Sequence, residues 1–162
     1  MDQLDVIFVK KKNSFSLSRK IKLIISQEKK LGLFSSSRLK KFKLKILNHI
    51  NKMQKLVTDL KNKKNRISIY GASGKGQALM QYCKINKNMI DSVFDKSRLK
   101  QGSYTPGTYI KIKNPKLINK SKKNYLLILS WNIKNEIMKQ EKDFSKKGGK
   151  FIIPFPLPRV IR

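Results

Sequence analysis

RISIYGASGKGQALMQ, Arg66–Gln81, carries two conformational regimes joined by glycines. Ile67, Ser68, Ile69 and Tyr70 alternate and include β-branched residues, as a strand does. Gly71-Ala72-Ser73-Gly74-Lys75-Gly76 then turns tightly into the helix-compatible run Gln77–Tyr82. Strand, glycine turn and helix N-terminus open a βαβ unit. Glycines allow close approach of backbone to a phosphate, and the first N–H groups of the helix, with its dipole, face the charge. Lys75 adds a mobile cation. In such a unit an acidic side chain about 20 residues on takes a ribose or sugar hydroxyl, and Asp95, closing the strand Ile90–Asp95, has that place. The spacing is G-x-x-G-x-G, which departs from the G-x-G-x-x-G dinucleotide fingerprint. No Ser or Thr follows Lys75, so it is not a P-loop either. On these residues alone a ligand loop and a turn that only packs helix on sheet both stand.

Upstream, Leu39–Leu60 places Leu39, Phe42, Ile46, Leu47, Ile50, Met53, Leu56, Val57 and Leu60 at steps of three and four. That spacing predicts a long amphipathic helix with a lysine-rich outer face, and Ser35–Ser37 offer N-caps. His49, the only histidine, lies off the stripe and is expected at the surface. Before it, Leu4–Val9 reads as a strand and Ile21–Lys30 as a short helix ending near Gly32.

Downstream, Gln101–Gly107 (QGSYTPG) is a loop with hydroxyls to offer a ligand. Tyr109–Ile112 alternates briefly, and Pro115–Asn119 suits a short helix. Tyr125–Leu129 is apolar throughout, as in a parallel sheet covered on both faces, and runs into Ser130-Trp131-Asn132. Ligands of open α/β sheets sit beyond strand C-termini; Trp131 is therefore either a stacking wall or a core plug. Ile133–Lys147 reads as a helix stopped by Gly148-Gly149. Phe151–Ile153 reads as a last strand, and Pro154, Pro156 and Pro158 predict a stiff extended tail. The expected fold is α/β: a Rossmann-like, doubly wound, mostly parallel sheet over 66–162, preceded by 1–65 with a strand and the long helix.

The formal charge is +30 over 162 residues, and 33 of the 39 basic residues are Lys. Base and phosphate recognition favours Arg, and these lysines are scattered along the chain. Non-specific attraction to polyanions at low salt is expected; specific nucleic-acid binding is not, for no helix-turn-helix, zinc-finger or aromatic-basic motif is present. The longest apolar runs are strand-sized, which predicts no membrane helix. The first residues do not form a secretory signal, so a cytoplasmic location is expected. One cysteine, Cys83, provides neither a disulfide framework nor a cysteine-based zinc site.

Four stretches in order, YGASGKG, Asp95–Thr108 (DKSRLKQGSYTPGT), SWNIKNEI and GGKFIIPFPLPRVI, resemble the C-terminal domain of the sugar C-methyltransferase family. Its enzymes methylate a carbon of a nucleotide-linked deoxysugar with S-adenosylmethionine. The resemblance implies a Rossmann-like lobe that helps hold a nucleotide-sugar, typically a dTDP-sugar. It would bring Gly71, Ala72, Ser73, Gly74, Lys75 and Gly76 to the diphosphate. Asp95, Gln101, Tyr104, Thr105 and Asn132 would offer polar contacts, and Trp131 a wall. Ser73 and Gly74 stand where the family often has Pro and Ala.

A full family member carries, ahead of this domain, a cysteine-ligated zinc region and a donor-binding domain. This chain has neither those cysteines nor an acidic-glycine donor loop. Proton abstraction from a sugar carbon needs a base near neutral pKa, most often His, and His49 lies on the wrong element. The expectation is therefore a nucleotide-sugar-binding lobe with no catalytic residue, metal or cofactor of its own. S-adenosylmethionine would sit on a missing or partner lobe, and this chain alone would not transfer methyl. The alternatives are a stand-alone Rossmann-type binder of NAD or another nucleotide, which gives no reason for QGSYTPG, and a charge-driven nucleic-acid binder.

Overall fold

The computed structural model describes residues 18–33, 35–120 and 124–161, so the strand expected at Leu4–Val9 lies outside the described residues. The chain divides into two compact units, Met1–Leu44 and Lys45–Arg162. In the first, helix α1 (Arg19–Lys30) starts at Ser18, whose Oγ accepts the Ile21 N–H, and ends with Lys29 and Lys30 at its negative dipole end. Gly32 follows at φ +66°. Helix α2 (Ser36–Asn62) starts just beyond, with the Arg38 N–H donating to Ser35 Oγ at 3.2 Å.

In the second unit, β1 (Arg66–Tyr70), β2 (Ser92–Phe94), β3 (Ile112–Lys113), β4 (Asn124–Ile128), β5 (Lys150–Ile153) and β6 (Arg159–Ile161) form one sheet in the order β3-β2-β1-β4-β5-β6. The first five are parallel and β6 is antiparallel to β5. Period-2 alternation sends Ile67 and Ile69 of β1 to one face and Tyr70 to the other. The first face is covered by Met53, Val57 and Leu60 of α2 with Leu79 and Met80 of α3 (Gly74–Tyr82). The second is covered by Ile137 of α4 (Lys134–Gln140) and Phe144 of α5 (Lys142–Lys146). Helices on both faces of a mostly parallel sheet make this the Rossmann-like α/β fold that the pattern predicts. β4 is buried along its full length, as an interior parallel strand must be.

Five local expectations change. The helix read over Ile133–Lys147 is three pieces: a 3-10 turn at Trp131–Ile133, then α4, then α5. Glu141 leaves helical backbone at φ −96°, ψ 27°, which lets Phe144 turn inward against Phe151, ring centroids 5.4 Å apart. Gly149 fits beneath that ring, since a Cβ there would lie 2.5 Å from it. The strand read at Ile90–Asp95 is only Ser92–Phe94, and the one read at Tyr109–Ile112 is Ile112–Lys113, because Tyr109 sits at φ +52°. Pro115–Asn119 gives a 3-10 turn at Pro115–Leu117. The expected extended tail folds back instead. Phe151, Ile152 and Ile153 pair with Ile161, Val160 and Arg159, so the three prolines occupy a reversal and leave the following N–H groups free to bond.

Candidate functional site

In this strand order the chain reverses direction across the sheet between β1 and β4, the switch point where open α/β sheets leave a crevice. The two C-terminal ends are locked together there: Tyr70 pairs with Ile128, and the Leu129 N–H donates to the Tyr70 carbonyl at 2.9 Å. Just beyond them is a cleft of about 450 Å³ lined by Ser73, Gly74, Lys75, Leu129 and Ser130–Ile133.

Each glycine of the loop has its own reason. Gly71 sits at φ +95°, and a Cβ on it would collide with Ser130 Oγ. Gly76 lets α3 press on β4, because its Cβ would lie 2.6 Å from Leu129 Cβ. Gly74 has nothing within 4 Å of a Cβ position and faces the cleft. Turn, close approach and helix packing are the three glycine roles of a phosphate-binding βα turn, distributed here over G-x-x-G-x-G. Ser73 caps α3: its Oγ accepts the Gly76 N–H at 3.1 Å and donates to the Leu129 carbonyl at 3.3 Å. The N–H groups of Gly74 and Lys75 find no acceptor among the described residues. Lys75 is exposed and makes no ion pair among them. Two unfilled donors at the positive end of a helix, beside a free ammonium, can hold an anion.

The opposite wall is Ser130, Trp131 and Asn132. Trp131 is half-buried, packs against the core and also lines the cleft. Phe155 backs it, with ring centroids 4.7 Å apart. His49 also stacks on Phe155, with ring centroids 4.4 Å apart and planes 8° from parallel. It is not the surface residue expected: it is half-buried, its Nε2 has no partner, and burial, with Lys52 nearby, lowers its pKa.

The remaining sequence candidates are not in the cleft lining. Asp95 accepts the Ala72 N–H and the Ser97 N–H, each at 2.8 Å, and Lys100 Nζ at 3.4 Å. Gln101 donates to the Asp95 carbonyl at 2.9 Å and accepts from Asn114. Thr105 is buried, bonded to Thr108 Oγ1 at 2.6 Å and to the backbone of Ile110. Tyr104 is exposed, and a bridge to Lys111 holds its backbone. QGSYTPG is thus a loop bonded to the segments on either side of it, 95–100 and 108–114, and it packs on α3, with Gly107 against Gln81. Ser130 and Lys100 are not among the sequence candidates, although both lie within the quoted stretches SWNIKNEI and DKSRLKQGSYTPGT. Gln77, one residue past the loop, buries an amide whose nitrogen and oxygen both lack partners; an α3 pattern read only for its apolar positions gives no hint of it. Tyr70 faces the other side of the sheet, where burial, reinforced by Glu141, Asp95 and Glu136, pushes its pKa up to about 12. Among the described residues no three His, Cys, Asp or Glu side chains come together as a metal site, and no helix is long and apolar enough to cross a membrane.

A family model described as "C-methyltransferase C-terminal domain" matches residues 3–156. The C-methyltransferase NovU of Streptomyces niveus is 42% identical over 92 residues, which is 57% of this chain and 22% of that relative. The chain therefore aligns with roughly a fifth of the relative's length. With the glycine turn, the switch-point cleft and the family match in agreement, this chain belongs to the C-methyltransferase C-terminal domain family.

Proposed function

We propose that this chain is the substrate-holding lobe of a sugar C-methyltransferase, binding a dTDP-type nucleotide-deoxysugar at the β1/β4 cleft. The observation that carries the reading is the anion cradle itself: the unfilled N–H groups of Gly74 and Lys75, the Lys75 ammonium and the open space at Gly74, on one wall of a 450 Å³ cleft. The diphosphate lies over the start of α3, while Trp131 and Asn132 face the sugar or the base. Ala72 and Gly76 shape the loop from behind.

S-adenosylmethionine fits this cleft poorly. A Rossmann-type site holds an adenosyl ribose with a free carboxylate at the end of its second strand, and Asp95 already serves three donors of its own chain. The methyl donor belongs to another lobe, on a partner chain or elsewhere in the protein, that also carries the zinc region. The apolar side chains left exposed on the first half of α2, Leu39, Phe42, Ile46 and Leu47, suit contact with such a lobe. The same occupancy of Asp95 disfavours NAD. No specific nucleic-acid partner and no membrane anchor is part of this reading, and a cytoplasmic setting suits a soluble nucleotide-sugar.

The test is a thermal-shift series at about 150 mM salt with dTDP, a dTDP-sugar, S-adenosylmethionine, NAD and a short DNA duplex. A ligand at ~100 times its dissociation constant adds about 2.7 kcal/mol of stability. Stabilisation by the dTDP compounds alone, lost in Lys75→Met, is the expected result. A shift with NAD, or with DNA only, would overturn the reading.

A further inference from the structure

The carboxylate at the end of β2 is the group with which a Rossmann-type site usually recognises a ribose diol. In this chain it faces inward. Asp95 Oδ2 accepts the Ala72 N–H of the glycine loop at 2.8 Å, and Oδ1 accepts the Ser97 N–H at 2.8 Å. Lys100 Nζ bridges the same two segments, 3.1 Å from the Ala72 carbonyl and 3.4 Å from Asp95 Oδ2. The backbone repeats the tie, for the Gly71 N–H donates to the Phe94 carbonyl at 2.7 Å and Gln101 holds the Asp95 carbonyl. Ala72 thus has both its N–H and its C=O fixed by side chains from the β2–β3 connection. These bonds are charge-assisted and the strongest of their kind. The Asp95 side chain is only 13% exposed, whereas that of Lys100 is 46% exposed.

We infer that Asp95 and Lys100 are positioning residues that clamp Ala72 and hold the glycine loop in its anion-binding shape, leaving the cleft lining without the carboxylate that would read a ribose 2′-hydroxyl. This inference rests on the nucleotide-sugar reading above. Selectivity then comes from the diphosphate, the base and the sugar, and a nucleoside diphosphate is taken alike in its ribo and deoxy forms. A site built to hydrogen-bond a hydroxyl rejects the analogue lacking it strongly, because its own polar groups would be left unpaired. A carboxylate already satisfied by its own chain has no such penalty to impose.

The experiment is calorimetric titration of the full chain with dTDP and with its ribo counterpart, 5-methyluridine diphosphate, alongside amide exchange of Ala72. Wild type is expected to bind the two within about threefold of each other. Lys100→Met, a half-exposed change that the fold should tolerate, is expected to weaken both equally, by about fivefold to tenfold. Lys100→Arg is expected to restore much of that loss. Asp95→Ala, which removes both acceptors, should weaken both alike and release the Ala72 amide to exchange. A preference above tenfold for the ribo form, abolished in Asp95→Ala, would overturn the inference by making Asp95 a ligand contact. Free exchange of Ala72 in wild type would overturn the clamp itself. If neither diphosphate binds while Ala72 is protected and Asp95→Ala releases it, the nucleotide-sugar reading fails and the clamp stands.

Discussion

Replacing Gly76 and Gly74 by Ala, one at a time, sets two chemically identical changes against each other two residues apart in one loop. At Gly76 the new methyl would lie 2.6 Å from Leu129 Cβ, 2.9 Å from Ser73 Oγ and 3.0 Å from Leu129 Cδ1. Carbon atoms in contact prefer about 3.5–4.0 Å, so α3 must lift from β4 by about 1 Å or the cap must break. Overpacking of this kind costs about 1–3 kcal/mol. The gain in helix propensity from Gly to Ala is at most about 1 kcal/mol, and Gly76 is only in the first turn. The net expectation is a loss of about 1–2 kcal/mol, or roughly 3–6 °C in Tm for a chain of this size. At Gly74 the methyl meets nothing within 4 Å, so stability should hold or rise by up to about 1 kcal/mol. That same methyl would project where the diphosphate is proposed to lie, so Gly74→Ala should bind dTDP less well despite being no less stable. Urea melts with dTDP titrations on both variants provide the assay. Equal stability effects at the two positions, or a Gly76→Ala protein as stable as wild type, would refute the packing argument.

Gln77 is 6% exposed with both amide atoms unpartnered; Gln77→Met, similar in volume, should stabilise by about 1–3 kcal/mol in chemical denaturation, and a loss instead would show that the amide has a partner. Cys83 is 1% exposed, and burial pushes its thiol up to about 11 from 9.0, so at pH 8 it should resist an aromatic disulfide reagent until the protein unfolds. Since that folded value lies above the unfolded one, its contribution to stability is complete below about pH 9 and fades as pH rises toward 11. For His49 the sign is opposite: its lowered pKa makes the unfolded chain bind the proton more readily, so stability should fall as pH drops below 6.5. His49→Phe keeps the stack on Phe155, removes the unpartnered nitrogen and should flatten that acid limb, read as Tm against pH from 7.5 to 5.

What could be read from the chain was whatever depends on local pattern. Ile67–Tyr70 alternates, Tyr125–Leu129 is uniformly apolar, and three glycines mark the passage from the first strand into its helix; these settle the βα unit, its parallel neighbour and the crevice between them. Chain reversals controlled by tertiary packing were not legible. Arg159–Ile161 became a strand because β5 presents an open edge, and the break at Glu141 came from Phe144 needing its place under α4 and over Gly149. At the site, sequence spacing located Asp95 correctly but could not tell which way it would bond. That depended on Lys100, five residues on, returning to the same carboxylate. Thr105 failed as an exposed hydroxyl for a similar reason, its loop closing on Thr108 and Ile110.

Helix α2 is 27 residues long, about 40 Å at 1.5 Å per residue, and its apolar stripe is used unevenly. Met53, Val57 and Leu60 are buried, while Leu39, Phe42, Ile46 and Leu47 remain exposed. Near its start, Lys41 and Lys45 are like charges one turn apart, which loosens the part whose apolar side chains are exposed. Local opening should therefore become progressively harder along the helix, with amides near Ser36 exchanging quickly and those near Leu60 only through large-scale unfolding. Any lobe that covered the exposed stripe would level this gradient. The exchange rates of Leu39–Leu47 are thus a built-in gauge of whether the chain is alone or assembled, readable without knowing what the other lobe is.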